Sequence, residues 1–348
     1  MKLSGWKEKL YRNYLGLVFN RYRVNHYLHS ILPDRYPERP SIKGKVRVAA
    51  LQVEVALYKN PFDYIAAMHT LLEKAVHQGA RMVAFPEYNN LSLLGILPGI
   101  EEEVGKSAKN EVLPSLGDIT LADIFAYLSP LLQPLLELIY ARFAYIYQIY
   151  IMAGSFILAD DYQSVVNRAF LFDPDGKLVG MQDKINLTPL EESFKMSRGH
   201  EVRVFATEAG KIAMPICMDA TYFETFRLIE RKGAHIVILP IANMEKYNHW
   251  LALRGIWPRV QESIIYGLKS ALVGNLNGYI FSGRAGIYAP LELTPLKDGI
   301  LAEAETVDRS AVVTAELDLD KLIALRANHP WRDSNRDLYS RYFPQIYR

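Results

Sequence analysis

Short apolar runs recur along the chain, separated by longer stretches with helical spacing. Val46-Arg47-Val48-Ala49-Ala50-Leu51-Gln52-Val53 reads as a first core strand. Between 62 and 78, Phe62, Ile65, Ala66, Leu72 and Val76 share one helical face, and Gly79 is placed to end that helix. Met82-Val83-Ala84-Phe85 predicts a second buried strand, closed by Pro86-Glu87. The polar, glycine-containing stretch 97–120 reads as a loop. Tyr150 to Phe156 predicts a third strand. Val165 to Phe172 and Lys177 to Met181, joined by the turn Asp173-Pro174-Asp175-Gly176, predict a hairpin. A strand from Ile212 to Ile216 ends at Cys217, and a helix follows from Tyr222 to Lys232. His235 to Pro240 predicts a strand, Arg259 to Lys269 a helix, and Ala271 to Asn275 another strand. A hairpin from Gly286 to Leu301 and a strand from Ala311 to Leu317 finish the core.

Helices and strands alternating at βαβ spacing, with hairpins between, predict an α/β layered fold with a mixed sheet. No Gly/Ser or Pro-rich linker and no internal repeat interrupts 46–325. The spacing therefore predicts one domain, preceded by an extension, 1–45, and followed by an aromatic, charged tail, 326–348, able to reach a partner subunit.

Composition narrows the setting. A single cysteine in 348 residues rules out an intrachain disulfide and a thiolate-rich metal cluster, and suits a reducing cytoplasm. The net charge of +2 hides an asymmetry, because residues 1–47 hold eleven Lys/Arg against three acids. That leader also carries Trp6, Tyr11, Tyr14, Phe19, Tyr22, Tyr27 and Tyr36. Such a segment can lie on an anionic membrane through residues 1–40, or wrap its own domain or a sister subunit. The apolar run from Tyr14 to Phe19 is shorter than a secretory signal core. Residues 124–156 are very apolar, yet Pro130, Pro134, Glu137 and Arg142 fall inside them. A membrane span wants about 20 apolar residues with few charges, so core helix plus strand is the better reading. The eight histidines show no metal-ligand spacing, and no cofactor or metal is expected. Gly283-Arg284-Ala285-Gly286 lacks a phosphate-loop pattern, and no nucleic-acid module accompanies the basic leader, so no nucleic acid is expected.

Glu87, Lys184 and Cys217 stand at strand ends or just past a hairpin. Each alone is more often a solvated or inert side chain. Together they supply what thiol attack on an amide or nitrile carbon needs: the nucleophile, a carboxylate to take its proton, and a fixed positive charge or N–H groups beside the developing oxyanion.

Three stretches carry a family resemblance. Phe85-Pro86-Glu87-Tyr88 resembles the glutamate motif of the nitrilase superfamily, the carbon–nitrogen hydrolases. Asp183-Lys184-Ile185-Asn186-Leu187-Thr188-Pro189-Leu190-Glu191 resembles its lysine motif, and Pro215-Ile216-Cys217-Met218-Asp219 through Phe223-Glu224 its cysteine motif. The resemblance covers roughly 46–325. It implies a four-layer αββα sandwich assembled as a homodimer or larger homo-oligomer. It further implies Glu87 as general base, Lys184 and a backbone N–H after Cys217 as oxyanion stabilisers, and a thioester acyl-enzyme on Cys217. Glu191 best fits the family's second glutamate, with Glu192 the neighbouring alternative, while Asp219 and Glu224 match positions read as structural. Met218 and Asn186 depart from the aromatic and His often found there, which bears on substrate rather than on the catalytic set. The implied activity is hydrolysis of a non-peptide carbon–nitrogen bond in a small amide. An N-acyltransferase using the same acyl-enzyme on a lipid substrate, a nitrilase, and a non-catalytic scaffold are the alternatives.

Overall fold

A computed structural model describes residues 13–37, 39–109, 115–116, 119–160, 164–330 and 335–347. Alternation along β1 (Lys45–Glu54) sets the architecture. Val46, Val48 and Ala50 enter one apolar core, and Ala49, Leu51 and Val53 another. Successive strand side chains point to opposite faces, so β1 is covered on both sides. The second of these cores lies beneath helices α1 (Arg21–Ile31), α2 (Pro61–His77) and α3 (Leu121–Tyr147). On the far side, β8 (Ile236–Ile241) repeats the device. Ile236 and Ile238 join the core shared with β1, while Val237, Leu239 and Ile241 pack under α5 (Phe223–Arg231) and α7 (Ile256–Ser263). Helix, sheet, sheet and helix stack in four layers, the αββα sandwich.

Hydrogen bonds run through β5 (Leu178–Asp183), β4 (Val165–Phe172), β3 (Tyr150–Ala159), β2 (Met82–Ala84), β1, β9 (Tyr266–Leu276), β8, β7 (Gly210–Ala213) and β6 (Phe205–Thr207). The middle pairings are parallel, and the outer hairpins antiparallel. β10 (Tyr279–Phe281) and β11 (Gly286–Tyr288) pair with β9, and β12 (Ile300–Glu303) with β11, extending the second sheet. β13 (Ala311–Asp318) covers one edge of β1 from Lys45 to Gln52. β9 takes over that edge only at Gln52–Glu54, so β1 and β9 join the two sheets at a corner.

Several elements depart from what the sequence predicts. The stretch 97–120 holds a helix, Ile100–Lys109, and a short hairpin, Ser115–Leu116 with Ile119–Thr120. α3 runs through both Pro130 and Pro134. Tertiary burial of Leu128, Leu132, Leu135, Leu136 and Ile139 outweighs the two missing backbone donors. Ser129 Oγ meanwhile donates to Phe125 O at 2.6 Å and accepts from Ala159 N at 2.7 Å. α6 (His249–Ala252) precedes α7, which stops at Ser263, and β9 begins at Tyr266, so Lys269 belongs to a strand rather than to the predicted helix. From residue 13 the leader wraps its own domain: Leu15, Phe19, Val24 and Leu28 are buried in the first helix-sheet core, and Tyr36 N bonds Ile146 O. The leader's first twelve residues, including Trp6 and Tyr11, lie outside the described residues. At the other end, the tail helix Arg336–Ile346 buries no side chain.

Candidate active site

Three strand ends meet at one cleft. Glu87 lies three residues past β2, Lys184 directly past β5, and Cys217 four residues past β7, opening the turn Cys217–Thr221. Carboxyl ends of strands are where α/β sheets expose groups to ligands. Two of these turns are strained. Tyr88, next to Glu87, has φ 54°, and Cys217 itself has φ 45°. Non-glycine residues rarely sit there, and such strain collects at sites where surrounding structure holds a group in place.

The geometry is tight. Lys184 Nζ lies 2.9 Å from Glu87 Oε1 and 2.8 Å from Glu191 Oε2, with all three side chains about 1% exposed. Asn167, in β4, donates Nδ2 to Glu87 Oε1 at 2.9 Å and to Glu191 Oε1 at 3.2 Å. Glu191 sits in the short helix α4 (Pro189–Ser193), at the third position after its cap Thr188. Thr188 donates its backbone N–H to Glu191 Oε2 at 2.8 Å, and Tyr88 donates its hydroxyl to Oε1 at 2.5 Å. Glu192 instead points outward to Arg198, so the structure places Glu191, not its neighbour, beside the lysine. Cys217 Sγ lies 3.6 Å from Asn243 Oδ1.

A carbon–nitrogen hydrolase family model matches residues 47–327. The chain belongs to the carbon–nitrogen hydrolase family. Membership makes it a hydrolase of the amidase and nitrilase type. Its relatives include a probable hydrolase, YhcX, of Bacillus subtilis, 33% identical over 56% of this chain, of whose length this chain spans 39%. The omega-amidase NIT2 of Danio rerio is 26% identical over 85% of this chain and 97% of its own length. Solved structures share the fold. An amidase from Nesterenkonia sp. AN1 in complex with acrylamide aligns with a TM-score of 0.63 at 17% identity, over 87% of this chain and 99% of that one. Saccharomyces cerevisiae Nit3, a nitrilase-superfamily member, aligns at 0.61 and 22% identity, over 85% of this chain and 100% of that one.

Electrostatics in this carbon–nitrogen hydrolase separates the two buried glutamates. Burial pushes the Glu87 carboxyl up, and the Glu191 charge adds to that; attraction to Lys184 only partly offsets them. Burial also opposes ionisation of Glu191, but Lys184, Thr188 and Tyr88 outweigh it and hold the carboxyl below its usual range. One carboxyl is therefore poised to carry a proton and the other to stay charged, the pattern expected of a pair with divided roles. Burial opposes the charge of Lys184, yet Glu87, Cys217 and Glu191 together hold it well above the ordinary amine range. Cys217 is open to the cleft as a residue, but its sulfur lies deep enough for desolvation, with Glu87, to raise the thiol above its ordinary value.

Asp219 braces the site from behind. It is fully buried and accepts from Asn186 N at 2.7 Å, Asn186 Nδ2 at 3.0 Å, and Ile216 N at 2.9 Å. One carboxylate thus ties the lysine turn to the cysteine turn. The cleft has a volume of about 620 Å³, with Glu87, Lys184, Cys217 and Met218 in its lining. Among the described residues no group of three or more His, Cys, Asp or Glu is placed to hold a metal ion. Asn167 and Asn243 carry no motif signal. A polar residue inside the apolar run Val165 to Phe172, and one just past the β8 tip, are the signals that point to them.

Proposed function

We propose that this chain hydrolyses the carbon–nitrogen bond of a small amide through a thioester on Cys217. One observation carries the reading: a carboxylate, an ammonium and a thiol, separated by up to 130 positions between Glu87 and Cys217, line a single cleft at which Lys184 Nζ touches Glu87. The omega-amidase relative supports amide rather than nitrile cleavage.

In the first half-reaction Cys217 Sγ attacks the amide carbonyl carbon as Glu87 takes the thiol proton. The carbonyl electron pair moves to oxygen, where the Lys184 ammonium and the backbone N–H of Met218 stabilise it. Collapse breaks the C–N bond, Glu87 returns the proton to nitrogen, and ammonia leaves the thioester. In the second half-reaction Glu87 deprotonates a water that attacks the thioester carbonyl. The C–S bond breaks, the sulfur regains a proton from Glu87, and a carboxylic acid leaves. Glu191, ionised throughout, keeps Lys184 charged and aimed, and Asn167 holds both carboxylates in register. Because the protons cycle between sulfur, Glu87 and nitrogen, the overall reaction consumes one amide and one water.

The test is intact-protein mass spectrometry after exposure to a panel of aliphatic amides, together with ammonia release. Wild type is expected to release ammonia and to show an acyl mass on Cys217 at early times. Cys217→Ala is expected to lose both while keeping its circular dichroism spectrum and Tm. Ammonia release by Cys217→Ala would overturn the reading.

A further inference from the structure

The start of the leader has no part in the chemistry above. Residues 13–18 are helical, and Asn20 then caps the next helix, α1. Several contacts fix how the first of these helices is held. Leu15 and Phe19 are buried in the first helix-sheet core. Tyr14 donates its hydroxyl to Ile96 O at 3.4 Å, and Arg23 Nη1 donates to Leu17 O at 3.4 Å. One side is therefore committed to the domain, yet the opposite side is apolar too. Leu17 is 62% exposed and Tyr14 40% exposed.

Side chains three and four residues apart share one face of a helix. Counted back from Leu17 and Tyr14 in such steps, the sequence places Leu10, Trp6 and Leu3 in phase with them, and Leu15 and Phe19 on the other side. A surface helix needs one apolar stripe to join its core. Exposed apolar residues scattered singly are ordinary, but a row in phase marks an interaction surface. Charge identifies the partner. Residues 1–23 hold Lys2, Lys7, Lys9, Arg12, Arg21 and Arg23 against a single acid, Glu8. Arg21 and Arg23 are exposed, and Tyr22 between them is 81% exposed. A row of leucine and tryptophan flanked by cations is the composition of a helix lying where headgroups meet acyl chains. The excess of cations selects a negative surface over an apolar layer, which is what an anionic bilayer offers.

We propose that Tyr14 and Leu17, with Leu3, Trp6 and Leu10 in phase ahead of them, form a docking strip that seats this enzyme on an anionic lipid surface. The leader then has two jobs divided at Asn20. α1 clamps onto the domain through Val24 and Leu28, while the segment before it presents its outer row to lipid. Because Leu15 and Phe19 already hold residues 13–18 in place, the end of the strip is oriented before it meets the membrane. The competing seat on the same chain is the acidic turn Glu101, Glu102 and Glu103, which opens the helix just past Ile96.

The test is co-sedimentation of the full chain with phosphatidylcholine vesicles, with and without phosphatidylserine, at low and high salt. Wild type is expected to bind the phosphatidylserine vesicles at least about tenfold more tightly than pure phosphatidylcholine. High salt is expected to release it, since attraction between exposed charges is screened. Trp6→Glu combined with Leu17→Glu is expected to weaken binding by about tenfold or more while leaving Tm unchanged. Leu296→Glu, at an equally exposed leucine between β11 and β12, is expected to bind as wild type does. Absence of binding, the result if the leader sits on its own acidic turn or on a second copy, would overturn the strip. Equal binding to both vesicles, or undiminished binding by the double variant, would overturn it too. If that variant does not fold, Lys7→Glu with Lys9→Glu decides, and undiminished binding again overturns the proposal. The readout is lipid binding rather than turnover, so it stands or falls apart from the amidase reading.

Discussion

Asp219 accepts the backbone N–H of Asn186 at 2.7 Å, and through that bond the turn carrying Cys217 is locked to the turn carrying Lys184. The two turns belong to different sheets, and this buried carboxylate bonds backbone donors on both, Asn186 N of one and Ile216 N of the other.

Asp219→Asn tests the lock. An amide keeps one acceptor but turns an NH2 group toward backbone donors that the carboxylate now satisfies. Leaving such buried groups unpaired costs about 1–3 kcal/mol each. Thermal unfolding should report a lower Tm, and kcat should fall by at least about 100-fold because a displacement near 1 Å is enough to do so. A variant with wild-type kcat would show that the brace has no bearing on the reacting groups.

The pH profile follows from Glu87. Its carboxyl is held above the ordinary 4.5 by burial, and it must be ionised to accept the thiol proton. Activity is therefore expected to fall, as pH drops, through a value above 4.5. The alkaline limb should lie above 9.0, because burial also raises the Cys217 thiol that carries the exchangeable proton. For stability the sign is the reverse of that for an ordinary paired carboxylate. A group whose folded value is raised stabilises below its unfolded value, and that contribution is lost as pH rises through the folded one. Glu87→Gln should thus keep or raise Tm at pH 8 while lowering kcat/KM by about 1,000-fold. Scanning calorimetry beside a pH–rate profile checks both.

Gly154 gives a steric test. It has φ +85°, and a Cβ there would lie 2.1 Å from Pro86 O, the carbonyl that precedes Glu87. Gly154→Ala must either push the glutamate turn outward or bend β3. The overpacking cost is about 1–3 kcal/mol, plus backbone strain. Slower alkylation of Cys217, alongside a lower Tm, is the expected sign that the turn has moved.

The leader gives a packing test. Leu28 is fully buried under α3 together with Val24. Leu28→Ala should cost about 2–5 kcal/mol in urea unfolding. Unchanged stability would mean that this helix leaves the domain in solution, as a membrane-seeking segment would.

Much of the site was legible because the three reacting groups stand at strand tips inside dense local patterns. Cys217 follows an apolar run, Lys184 a hairpin, and Glu87 a strand closed by proline. What stayed hidden depends on distant partners. α3 survives Pro130 and Pro134 only because its apolar face is buried on a sheet formed elsewhere in the chain. Asn167 looks like a misplaced polar residue until the fold brings Glu87 and Glu191 to it from 80 and 24 positions away. Lys269 was concealed differently. The spacing predicts a helix from Arg259 through Lys269, whereas the strand that begins at Tyr266 buries this side chain.

Glu87 and Lys184 hang from one slab of the sandwich and Cys217 from the other, while β1 and β9 stitch the slabs together at a single corner. Turnover therefore acts as a gauge of how squarely the slabs are stacked. Interior substitutions far from the cleft, such as those thinning Val48 or Ile238 in the core between the slabs, would silence catalysis while far-UV spectra still look whole, since a slip of about 1 Å parts thiol from carboxylate.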